Sequence, residues 1–268
     1  MLINNKIGYI FTTFDSPLLK KKSFLKNLKL NFFSDKGISK KTSEEEYFFS
    51  FMKNLKKFLH RPIFTFILNN ENKDSFIHEI ESADIDLFYI FSTYPQVNSK
   101  SFQISNFFQK NLKIETIEKF FWVKSYFSSP FFIESIVKKL RKKISEDKID
   151  EKKIKIIFLA EEDSKNPLYT FECQITSQKV VKYFPYIEGE LFLYTKKNFK
   201  SFIEKQSKEN IYFISISNII NDNLIIDNLK NYKHYLFNSL TEDTFFVRSI
   251  VDIIEEKNFI TNDMLNNF

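Results

Sequence analysis

The chain has 268 residues, 43% of them hydrophobic and 28% charged, and a formal net charge of +6. That composition supplies ample core and excludes a disordered chain, while the single cysteine, Cys173, excludes an internal disulfide framework and fits a reducing, cytoplasmic setting. No apolar run reaches the ~18 residues of a membrane span, and no basic region precedes the short run in MLINNKIGYIF, so neither a membrane span nor a signal peptide is expected. Phe at 34 and Gly at 3 depart from ordinary usage, and with abundant Lys, Asn and Ile they read as the codon bias of an AT-rich genome. With Gly8, Gly37 and Gly189 alone, Asn must take many left-handed turn positions, as in Asn69-Asn70 and Asn221-Asp222-Asn223. Lys20-Lys21-Lys22 and Lys138–Lys143 are the basic knots; they read as solvated helix faces, and no nucleic-acid partner is expected.

Short β-rich apolar runs alternate with longer helical patterns along the chain. Strands are predicted at Lys6–Thr13, Ile63–Leu68, Asp86–Thr93, Glu118–Lys124, Ile154–Ala160, Gly189–Tyr194 and Ile211–Ser217. Most are continuously apolar, as strands covered by helices on both faces must be. Helices are predicted between and after them, at Pro17–Phe33, Ser43–Leu59, Lys73–Ser82, Ser101–Asn111, Phe131–Ser145, Thr170–Phe184, Lys196–Lys208, Asp222–Phe237 and Asp243–Glu256. Ser43-Glu44-Glu45-Glu46 has the form of a capping box, and Pro17 suits a first helical turn. Such alternation implies parallel sheets with crossover helices. The charged segment Glu146–Lys153 interrupts the rhythm and reads as a surface loop. The expected architecture is α/β: two doubly wound parallel-sheet domains facing a central cleft, residues 1–112 and 113–239, with a C-terminal helix in 240–268 packing back on the first.

The stretch Lys155–Thr176, KIIFLAEEDSKNPLYTFECQIT, carries the most chemistry. A strand runs out into a polar loop there, and in a parallel sheet that exit opens onto the crevice where catalytic side chains sit. It resembles the ferrochelatase motif in which a strand ends in Ser-Ala-His-Gly/Ser-x-Pro and leads to Gly-Asp-Pro-Tyr, with Cys173 and Thr176 on the following helix. Other fragments resemble the same family in the same order. Ile7–Pro17 is similar to its first strand and Gly-Thr-Pro loop, and Lys36–Glu45 to its Gly-Gly-x-Ser-Pro segment. Thr93-Tyr94-Pro95-Gln96 is similar to Leu-Tyr-Pro-Gln-x-Ser, and Lys124–Pro130 to the aromatic turn before a family helix. Ile214–Leu229 resembles Pro-x-x-Phe-x-x-Asp-His-x-Glu-Thr, and Leu236-Phe237-Asn238 with Phe245-Phe246 the terminal helix. The chain is shorter than a usual member near Ser34–Ile38 and between Asp163 and Pro167.

The resemblance implies a fold of chelatase type and the insertion of ferrous iron into a porphyrin in haem biosynthesis. Porphyrin and ferrous iron are then substrates, and no cofactor is implied. That chemistry bends the macrocycle, needs a base for the pyrrole N–H protons, and needs nitrogen or oxygen ligands weak enough to release Fe²⁺. At the family's loop histidine this chain has Glu161, flanked by Glu162 and Asp163; at the facing glutamate it has Ile225, and further along that helix face Leu229 and Lys233. Glu161 is the expected catalytic proton acceptor and metal ligand. Asp222 and Asp227 are the further candidate metal ligands, Asp227 with His234 as a shifted pair, although Asp222 also reads as a helix N-cap. Phe14, Tyr94 and Tyr126 are the expected porphyrin contacts. His60 and His78 stand at no metal-like spacing, while Cys173 and Trp122 read as core. No Gly-x-Gly-x-x-Gly or Gly-x-Ser-x-Gly appears, so neither dinucleotide binding nor a hydrolase nucleophile is supported. The losses at 161, 225, 229 and 233 leave an alternative: a catalytically degenerate chelatase fold that binds tetrapyrrole or a partner without metal insertion. A carboxylate-lined site for another tetrapyrrole or a harder metal is a third reading.

Overall fold

A computed structural model describes residues 6–14, 44–68, 73–206, 210–219, 225, 228–229, 243–255 and 260–261. The first sheet contains β1 (Ile7–Phe14), β2 (Ile63–Leu68), β3 (Leu87–Ser92), β4 (Phe120–Val123) and β8 (Ile260–Thr261), in the order β2-β1-β3-β4-β8. All its pairings are parallel except β4 with β8. The second contains β5 (Lys155–Glu161), β6 (Glu188–Tyr194) and β7 (Ile211–Ser215), parallel and ordered β6-β5-β7. In each sheet the first strand lies between the second and third, so the chain reverses its winding beside that strand. Reversal of this kind opens a crevice at the strands' carboxyl ends.

Each strand alternates between a shared inner core and an outer core on its own sheet. Tyr9 and Phe11 of β1, Phe91 of β3, Ile156, Phe158 and Ala160 of β5, and Tyr212 and Ile214 of β7 all face one continuous inner core. Between them, Ile10, Phe88 and Ile90 face an outer core on the first sheet, and Ile157, Leu159, Ile211 and Phe213 an outer core on the second. A side-chain period of two, apolar on both sides, gives the unbroken apolar runs seen in the sequence.

Helices α1 (Glu44–Leu55), α5 (Pro130–Asp147), α6 (Pro167–Val181) and α8 (Thr244–Glu255) fill the inner core. α8 packs on α5 and α1. On α5 the buried side chains Phe132, Ile133, Ile136, Val137, Leu140 and Ile144 form the helical stripe that allows this. Helices α2 (Lys73–Ser82), α3 (Ser99–Asn111) and the short α4 (Ile114–Ile117) belong to the first half, and α7 (Phe199–Lys205) covers the second sheet's outer face.

The strand Phe120–Val123, which a boundary at residue 112 assigns to the second half, instead hydrogen-bonds to β3 and extends the first sheet. The segment expected as a loop from Glu146 begins as the last turn of α5. It then turns at Lys148, whose φ of 54° is left-handed, and passes through a single 3-10 turn at Glu151–Lys153. Asn210 holds the other positive φ among the described non-glycine residues, 60°. The helices expected at Pro17–Phe33 and Asp222–Phe237 fall outside the described residues, apart from positions 225, 228 and 229.

Candidate functional site

The carboxyl ends of β3 and β5 meet, and the loops that leave them are stitched together. Glu161 ends β5 and sits half exposed, its backbone N–H reaching the Ser217 hydroxyl at 3.4 Å beyond β7. Its Oε2 accepts from Lys100 Nζ at 2.5 Å. Two residues on, Asp163 accepts from the Ser99 backbone N–H and hydroxyl, both at 2.6 Å. Asn166 then turns the chain into α6: its Oδ1 accepts the Leu168 N–H at 3.1 Å, and its Nδ2 donates to the Val97 carbonyl at 2.8 Å. Pro167 at the first helical turn completes that start. On the other loop, Asn98 caps α3 by accepting the Ser101 N–H at 2.9 Å. The two asparagine caps explain why both helices begin earlier than their apolar patterns suggest.

Behind this line the joint is buried. Glu172 of α6 accepts the Val97 N–H at 2.9 Å, and burial raises its carboxyl from 4.5 to about 7 against the pull of Val97 and Ser125. Gln96 is fully buried and donates to Thr176 Oγ1 at 3.3 Å, while its Oε1 has no partner among the described residues. The Ile219 N–H donates to the Thr93 carbonyl at 3.0 Å, joining the ends of β7 and β3. Beside the end of β1, Thr93 donates to Thr13 in a buried hydroxyl–hydroxyl bond of 3.0 Å.

The expected site residues separate accordingly. Glu161 stands where chemistry could reach it. Tyr94 is 5% exposed, with its ring 5.6 Å from the Lys100 ammonium. Tyr126 is a correction to the expected porphyrin contacts: it is 2% exposed, stacked on Phe91 at 5.0 Å, and donates its hydroxyl to the Ser92 carbonyl at 3.2 Å. It is core, because a Phe-rich interior absorbs its ring and β3 supplies its polar partner. Phe14 ends β1, and its side chain lies outside the described residues, as do Asp222 and Asp227. Ile225 and Leu229 are fully buried in the second outer core. Among the described residues, no group of three or more His, Cys, Asp or Glu could hold a metal ion. Cys173 is fully buried, and burial pushes its thiol up to about 12. The sequence reading does not single out Lys100 or Glu172; the polar run Asn98-Ser99-Lys100-Ser101 at a strand exit is the available signal for Lys100. A hollow of about 450 Å³ between α6 and β6, lined by Ser177, Val181, Phe184 and Gly189, lies at the opposite end of the strands from Glu161.

Two solved structures align with this chain almost end to end. SirB from Bacillus subtilis with Fe³⁺ does so with a TM-score of 0.56 at 10% identity, over 94% of this chain and 97% of its own. CbiX, the terminal enzyme for biosynthesis of sirohaem in denitrifying bacteria, gives 0.58 at 7% identity, over 94% and 98%. The fold is a chelatase fold. No protein-family model and no curated protein matches the sequence. The motif fragments therefore agree with the structure at the level of the chelatase fold, which identities this low establish by shape alone. Among the described residues, no helix is long and apolar enough to cross a membrane.

Proposed function

We propose that this chelatase fold handles a tetrapyrrole and a divalent metal at the seam between its halves, with Glu161 facing the pyrrole N–H groups. The observation that carries the reading is the position of Glu161: it ends the central strand of the second sheet, opposite the end of β3, with its side chain 41% exposed. When M²⁺ enters the ring, both pyrrole N–H protons must leave; Glu161 can take one, and water the other. Haem ferrochelatase activity, with ferrous iron and porphyrin as substrates, is the finer form suggested by the sequence motifs. The likeness to CbiX adds the metal-free precursor of sirohaem as a second candidate substrate.

A second reading draws support from Ile225 and Leu229. Where the resemblance expects carboxylates, these side chains are fully buried against Ile157, Leu159 and Phe213. Neither side chain can supply a metal ligand or a proton acceptor, which favours a fold that would bind a tetrapyrrole or a partner without inserting metal.

The test is a fluorescence titration with protoporphyrin, coproporphyrin and sirohydrochlorin, followed by anaerobic Fe²⁺ or Zn²⁺. Metal-dependent loss of free-base fluorescence, slowed about 100-fold in Glu161→Ala, supports insertion. Binding without insertion supports the second reading for a tetrapyrrole ligand. Failure of all three to bind overturns the tetrapyrrole assignment.

A further inference from the structure

Two contacts at the seam share a direction: Glu161 at the end of β5 and Asp163 just after it seat on the start of α3. Asp163 occupies the backbone N–H and hydroxyl of Ser99 at 2.6 Å each. Glu161 occupies the ammonium of Lys100 at 2.5 Å. The start of α3 is thus a receiver of carboxylates, and the chain fills it with its own. Lys100 is held for that task, since its ammonium lies 5.6 Å from the ring centre of Tyr94, which is nearly buried and fixed. The Lys100–Glu161 pair is also open to water, with the side chains 32% and 41% exposed. A pair so exposed gains little over its separated, solvated partners. An incoming carboxylate can therefore replace Glu161 with little net loss.

We propose that Lys100 is a specificity-determining residue that binds a rim carboxylate of the tetrapyrrole, and that this exchange releases Glu161 toward the ring. The inference rests on the tetrapyrrole reading above and adds to it a reason why the acid is neutralised at rest. Before substrate arrives, Lys100 holds the Glu161 carboxylate. Once a rim carboxylate takes the ammonium, Glu161 is left unpaired beside the macrocycle, where a proton acceptor is needed. No bond is made or broken in this step; one ion pair replaces another. Tetrapyrroles with a full rim of carboxylates should then be favoured over those with few, and the preference should weaken with salt.

The experiment measures equilibrium binding of uroporphyrin, with carboxylates around its whole rim, to the full chain and to K100Q, K100R and E161Q. A cationic porphyrin lacking carboxylates is the control. K100Q is expected to weaken uroporphyrin about five- to tenfold, the loss of one charge-assisted contact, and to bind the control no more weakly than wild type. K100R is expected to retain most of the affinity. E161Q, which removes the internal competitor, is expected to tighten uroporphyrin about threefold. A merely structural ion pair would make K100Q and E161Q shift affinity in the same direction, and that result overturns the proposal. So does uroporphyrin binding to K100Q as to wild type. Where K100Q does not fold, E161Q decides alone: tighter binding supports the exchange, and unchanged or weaker binding overturns it. If wild type binds no tetrapyrrole, the parent reading fails and the inference with it, a result distinct from failure of the Lys100 variants alone.

Discussion

Replacing Glu172 by Gln removes a proton-linked penalty from the joint between the two halves. Glu172 lies between α6 and the loop after β3, accepts the Val97 N–H at 2.9 Å, and has its carboxyl raised by burial from 4.5 to about 7. The folded state therefore holds a proton that the unfolded chain has already released across that window. Its stabilising share is complete below about pH 4.5 and fades as pH rises through about 7. Because Glu172 is only partly buried, solvent screening brings the amount lost by pH 8 to about 1–2 kcal/mol. Gln keeps an amide oxygen for Val97 but cannot ionise. Urea denaturation of both proteins at pH 5, 6, 7 and 8 is the assay. The variant is expected to match wild type within about 0.5 kcal/mol at pH 5 and to exceed it by about 1 kcal/mol at pH 8. A variant that parallels wild type at every pH, or falls further below it as pH rises, would refute the assignment of this carboxyl as the source.

Two further substitutions probe packing. A methyl at Gly189 would overlap Val181 Cγ2 and touch Phe158 at 3.4 Å; Gly189→Ala is expected to lower stability by about 1–3 kcal/mol in thermal or urea unfolding, and Val181→Ala in the same chain to restore part of it. Tyr126→Phe removes the 3.2 Å bond to the Ser92 carbonyl from a closed core, so unfolding should show a loss of about 1 kcal/mol, while tetrapyrrole affinity, read by the same fluorescence titration, should stay at the wild-type value.

The central strands were legible because burial on both faces leaves a mark in composition: β5 reads IIFLA without a polar break, and five of its residues are buried. The strand FFWV was equally legible as a strand, yet its neighbour was not, since β4 joins β3 through pairing that no local pattern encodes. Helix starts drifted because Asn98 and Asn166 cap through geometry, and their polarity alone resembles any loop. Glu161 could be placed at a strand exit from its own surroundings. Its pairing with Lys100, 61 residues away, belongs to the meeting of the halves and has no local signature. The aromatic candidates failed to sort for a different reason. With 34 Phe in the chain, an aromatic ring at a strand end carries no information about whether it meets ligand or core, and Tyr126 proved to be core.

Both sheets place their first strand between their second and third, so β1 and β5 hold equivalent places in two renditions of one winding. Their ends are furnished unequally. Next to the end of β1, Thr13 accepts from Thr93 in a buried hydroxyl bond; β5 ends on an acid that water can touch. Symmetry of the scaffold thus does not extend to its equipment. Among the described residues, one rendition serves as an anvil and the other holds the tool, so changes that alter chemistry are expected to gather on the β5 side, while changes at Thr13 and Thr93 register as stability.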